Sequence, residues 1–213
     1  VRPVSRAGRA GHDGGFTFIE AAVVLAVLGI LLAVGAPSMS NWMLARKAAS
    51  AAGFYKDGFM LARSQAVAHN SASRLVLVDN DNGQADWRVD ICFPISGKPC
   101  SDISGVWSTA SAAAGEDPDQ TTGFRSVVGS AGTMPSSTAI ALTVDPVGAD
   151  TVYFTPLGWI DSRIAAPLKS IELAPASTRS GAFPRMRVAL NLGGGVVICN
   201  PDAAPHSPKG CPP

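Results

Sequence analysis

Gly14-Gly15-Phe16-Thr17-Phe18-Ile19-Glu20 opens an apolar run that continues to Ala36 with Glu20 as its one charge. At about 1.5 Å per residue, a helix over Phe16–Ala36 is roughly 30 Å long, the depth of a bilayer's hydrocarbon core, so the segment is expected to span a membrane. A carboxylate inside such a segment costs about 2–3 kcal/mol near its centre and marks a function or finds a partner. Ahead of the run, Arg2, Arg6 and Arg9 outweigh the single Asp13. This basic flank predicts that the N-terminus stays inside and the bulk of the chain lies outside.

A secretory signal carries its small-residue cleavage site after the apolar stretch, whereas Gly14 and Gly15 come before it. That order resembles the class III leader of type IV pilins and type II secretion pseudopilins. The resemblance implies that a membrane peptidase cuts between Gly15 and Phe16 and methylates the new amino terminus on Phe16. It includes Glu20 as the family's acidic residue and Pro37 at the place where pilin helices commonly carry a helix-kinking proline. With residues 1–15 present, the chain is expected to be a precursor. The charge logic is simple: an ammonium on Phe16 and a neighbouring subunit's Glu20 are costly apart and tolerable together inside an apolar filament core.

After Pro37 the chain reads as an amphipathic helix over 37–72, with Met39, Trp42, Met43, Phe54, Phe59, Ala62 and Ala66 recurring mostly at three- and four-residue steps. Phe59 to Val67 resembles the stretch that GspH/FimT-type minor pilins carry before their first strand. From 73 to 213 the pattern changes to short β-prone runs: Arg74–Asp79, Trp87–Phe93, Ala139–Val144, Thr151–Phe154, Ser170–Leu173, Arg185–Leu190 and Val196–Cys199. Asn82-Gly83 between the first two is a hairpin signal, since both residues accept positive φ. Asp79, Asp81 and Asp90 have a faint calcium-loop spacing, but Gln84 stands where such a loop needs glycine, and a plain turn is the better reading. Ser108–Thr138, rich in Ala, Ser, Gly and Asp, reads as a long surface loop.

Cys92, Cys100, Cys199 and Cys211 all lie in this C-terminal part and fit an oxidising compartment. Four cysteines allow three pairings, and sequence proximity favours Cys92–Cys100 with Cys199–Cys211. A zinc site would want closer Cys or His spacing. The histidines, His12, His69 and His206, are scattered, so no catalytic constellation and no metal or cofactor site is expected.

Val152 to Gly158, the strand at Arg185–Leu190, the glycine turn Gly193–Gly195 and Val196–Cys199 resemble the C-terminal half of GspH/FimT/FimU-like minor pilins. DNA-binding members carry Gly-Arg-X-Arg ahead of the cysteine. Here those positions read Gly194, Gly195, Val196 and Val197, and both arginines are missing. Over Arg74–Pro213 the chain has 10 Lys+Arg against 13 Asp+Glu, the wrong balance for a nucleic-acid binder. Arg185 and Arg187, which alternate onto one strand face, are the remaining candidates for a local DNA patch.

The resemblance therefore implies an α+β type IV pilin fold, a long N-terminal helix with a membrane-spanning first half packed on an antiparallel β-rich head. It implies a structural, non-enzymatic minor pilin that helps prime or cap pilus assembly, with a type II secretion pseudopilin and a DNA-binding minor pilin as alternatives. The implied partners are the prepilin peptidase/N-methyltransferase, other minor pilins, the major pilin and an inner-membrane assembly platform. The implied placement is a single pass of the inner membrane with a periplasmic head, then a filament.

Overall fold

The computed structural model describes residues 17–204 and 207–212, and only the backbone of residues 34–38. One α-helix, α1 (Phe18–Ala68), precedes eight strands. These are β1 (Ala72–Asp79), β2 (Ala85–Cys92), β3 (Val127–Gly129), β4 (Ile140–Asp145), β5 (Thr151–Phe154), β6 (Ser170–Pro175), β7 (Met186–Leu190) and β8 (Val196–Cys199). They form two four-stranded sheets ordered β3-β2-β1-β5 and β4-β6-β7-β8. Every strand pairing in them is antiparallel. The chain divides into two compact units, Val1–Ser40 and Asn41–Pro213.

The expected membrane span is corrected here. Among the described residues, no helix is long and apolar enough to cross a membrane. Glu20, a charge that is costly inside a membrane, lies within the apolar part of α1. The expected transmembrane first half of the fold, and the single-pass inner-membrane placement with a periplasmic head, are corrected with it.

In the second unit the core stripe of α1 is Leu44, Ala48, Ala51, Ala52, Tyr55, Phe59, Ala62 and Ala66, all buried. Met39, Trp42 and Met43, which the sequence pattern put on the apolar face, are exposed. Phe59, Ala62 and Ala66 of that pattern are buried, and small residues let the helix lie close to the first sheet. A Cβ on Gly58 would stand only 2.9 Å from the Trp87 ring of β2. Polar seams fix the contact: Trp87 Nε1–H donates to the Phe54 carbonyl at 3.1 Å, and the Ser73 hydroxyl donates to the Ala62 carbonyl at 2.6 Å. Tyr55 donates to the Ala85 carbonyl at 2.9 Å, and burial pushes its hydroxyl up to about 12.

The β1–β2 hairpin pairs from Ala72↔Cys92 to Asp79↔Ala85 and turns through Gly83 at φ +72°. Asn80 and Asn82 accept the Asn82 and Gln84 amides, two Asx turns that shape the loop. Gln84 Nε2 then donates to the Pro135 and Ile140 carbonyls, tying the hairpin to β4 of the second sheet. The 108–138 segment is more ordered than a surface loop: it contributes β3, paired with β2, and the buried Asp117 carboxylate accepts the Asp119 and Phe124 amides.

Candidate functional site

At the start of α1, Thr17 precedes the first helical residue, and its Oγ1 accepts the Glu20 N–H at 3.3 Å. Thr17-Phe18-Ile19-Glu20 thus has the spacing of a capping box, in which the first-turn carboxylate also faces the positive end of the helix dipole. The sequence reading passed over Thr17; the signal was the threonine three places ahead of the glutamate. No hydrogen bond or ion pair reaches the Glu20 carboxylate among the described residues. Phe18, Ile19, Leu25, Ile30, Leu31 and Leu32 are all exposed, Phe18 by 90 %. An apolar surface on every side of a helix calls for burial by other molecules. Gly15 and Phe16, the expected cleavage and methylation positions, lie outside the described residues. The assigned helix continues through Pro37.

The structure contains the disulfides Cys92–Cys100 and Cys199–Cys211, with Cα separations of 6.0 and 4.9 Å. The first staples the 93–107 loop to the end of β2, and the second ties the C-terminal tail to β8.

Arg185 and Arg187 come together, but already neutralised. Glu172 of β6 lies opposite Arg187 and accepts from it at 2.9 Å, and accepts from Arg185 at the same distance. Arg185 also pairs with Asp202, whose carboxyl is held below its ordinary range chiefly by that hydrogen bond. Two cations against two carboxylates leave no surplus for phosphate. The Arg185→Ala/Arg187→Ala variant is therefore expected to match the wild type in affinity for duplex DNA, and in the salt slope of binding, by fluorescence anisotropy. A slope flattened by about two in the variant would overturn this.

Asp90, which sequence spacing linked to Asp79 and Asp81, is fully buried and instead accepts from Arg74 Nε at 2.9 Å and Arg88 Nε at 2.8 Å. The Arg74 guanidinium lies 4.3 Å from the Trp107 ring centroid. Among the described residues no group of His, Cys, Asp and Glu could hold a metal ion.

Residues 11–36 match the prokaryotic N-terminal methylation motif. That span contains Gly15, Phe16 and Glu20 and ends one residue before Pro37. Among solved structures, the type IV minor pilin FimU of Pseudomonas aeruginosa (strain PAO1) is similar at 16 % identity and a TM-score of 0.39, covering 74 % of this chain and 97 % of that one. No curated protein matches.

Proposed function

We propose that this chain is a minor subunit of a type IV pilus, cut after Gly15, methylated on Phe16, and used to prime or cap filament assembly. The observation that carries this reading is the methylation motif over residues 11–36, with Glu20 inside it. The exposed apolar start of α1 supports it, because such a surface is buried when subunit helices pack together. In that packing the Phe16 ammonium of one subunit pairs with the Glu20 carboxylate of another. Two disulfides in the C-terminal unit favour a pilus over a secretion pseudopilus, since the pseudopilin type is expected to lack them.

The test is a count of surface pili on cells lacking the gene, complemented with wild type, Glu20→Ala or Glu20→Gln. Leaving a buried ammonium without its partner costs about 3–5 kcal/mol, so both variants are expected to lower piliation on the order of a hundredfold. Glutamine preserves the capping box but not the charge. Full rescue by Glu20→Gln would reduce Glu20 to a helix cap, and normal piliation without the gene would overturn the priming role. Mass analysis of the complemented protein is expected to show an N-terminus at Phe16 carrying one methyl group.

A further inference from the structure

The second sheet ends on β8, and its edge has unusual properties. Leu190 N–H donates to Lys169 and Asn191 N–H to the Gly195 carbonyl, which sets the phase of the β7–β8 ladder. With Leu190↔Val196 and Val188↔Ile198 as cross-strand partners, Ala189↔Val197 and Arg187↔Cys199 exchange the ladder bonds. The N–H and C=O groups of Val196 and Ile198 consequently point away from β7. Among the described residues no hydrogen bond to these groups is seen; the tail meets the end of β8 through the Cys199–Cys211 disulfide and the Asn200 N–H, which donates to Lys209 at 2.7 Å, and Pro212 lines a cavity with Val196 and Val197. Proteins blunt open edges with charge, proline or a bulge, yet Val196-Val197-Ile198-Cys199 has none of these. Val197 and Ile198 are also each about two-fifths exposed.

Beside this edge runs a groove of about 610 Å³, walled by Lys56, Met60, Arg63 and Val67 of α1 and floored by Gly195 and Val196. Met60 and Val67 are each half exposed and give the groove an apolar wall. Arg63 Nε–H donates to the Gly158 carbonyl at 3.0 Å, which anchors the side chain at the groove. Gly194, at φ +74°, packs so closely against the same Gly158 carbonyl that a Cβ there would clash. Among the described residues no carboxylate lines it.

The geometry points to β-strand addition at β8: an extended, acidic segment of a partner protein pairs with Val196 and Ile198 while its alternate side chains enter the groove. Main-chain bonds supply affinity, Met60 and Val67 take apolar side chains, and Lys56 and Arg63 take a carboxylate. A second copy pairing β8 to β8 is disfavoured because it would bring two Lys56/Arg63 walls together. The inference does not depend on the chain being a filament subunit.

The probe is a fluorescently labelled heptapeptide of alternating valine and threonine with one glutamate, titrated by anisotropy into the full-length protein. Peptide methylated on alternate backbone nitrogens, and Ile198→Pro protein, are each expected to bind about tenfold more weakly, since each loses edge hydrogen bonds. Because the Ile198 N–H points outward, the proline spares the ladder to β7. Lys56→Gln is expected to weaken binding about threefold and to flatten its salt dependence. Met60→Glu, on the exposed helix face, tests the groove without touching the sheet and is expected to weaken binding about tenfold. On binding, the Val196 and Ile198 amides are expected to exchange more slowly with solvent. Equal binding of methylated peptide, no binding at millimolar peptide, or peptide-blocked self-association of the wild type would overturn the inference, the last in favour of β8–β8 pairing.

Discussion

Asp90→Ala is expected to destabilise the protein by about 3–5 kcal/mol, read as a lowered urea midpoint at unchanged slope. The fully buried carboxylate is the shared acceptor of Arg74 and Arg88, which reach it from adjacent strands of the first sheet. Removing it leaves two guanidiniums facing each other across β1 and β2. Arg74 carries most of the effect, because it is less than a fifth exposed and covered by Trp107. Arg88, more than a third exposed, is partly screened by water. A second substitution separates a lost pair from a lost shape. Asp90→Leu combined with Arg74→Leu replaces the ion pair by apolar volume and is expected to recover much of the loss. A single-variant cost under about 1 kcal/mol would show that the ion cluster is not a structural determinant.

Phe59→Ala is expected to cost about 3–5 kcal/mol as well, through the cavity left between α1 and the sheets. Phe59 is fully buried, one position before the exposed Met60. Met60→Ala is the internal control, expected to change stability by less than about 0.5 kcal/mol. The contrast between adjacent residues reads out the helix phase: similar costs at 59 and 60 would mean that α1 is rotated from the orientation described.

These two sites also show where sequence reasoning stops. The Asn82-Gly83 turn and seven of the strands were legible because turn chemistry and two-residue alternation are local signals. β3 was not, since three residues, Val127–Gly129, become a strand only by pairing with β2. On the helix, Phe59, Ala62 and Ala66 were legible as core residues, whereas Met39, Trp42 and Met43 of the same pattern are exposed. Leu44, Ala48, Ala51, Ala52 and Tyr55 complete the buried stripe. At the N-terminus the sequence led to an expected membrane span, whereas among the described residues no helix is long and apolar enough to cross a membrane.

Charge pairing shows the same divide. Sequence puts Arg185 and Arg187 on one face by alternation, and it names Asp90 as one of three spaced carboxylates. It does not say that Glu172 and Asp202 arrive beside Arg185 from 13 and 17 positions away, or that Asp90 is buried between two arginines.

By itself the sequence determined the methylation motif around Gly15, Phe16 and Glu20, the α-then-β order and the absence of the Gly-Arg-X-Arg pair, because each is carried by contiguous residues. Only the tertiary structure decided the partners of the buried and surface charges, which apolar residues of α1 are buried, and the β8 edge beside Lys56 and Arg63. Those depend on which distant segments meet, and burial and register exist only once they have met.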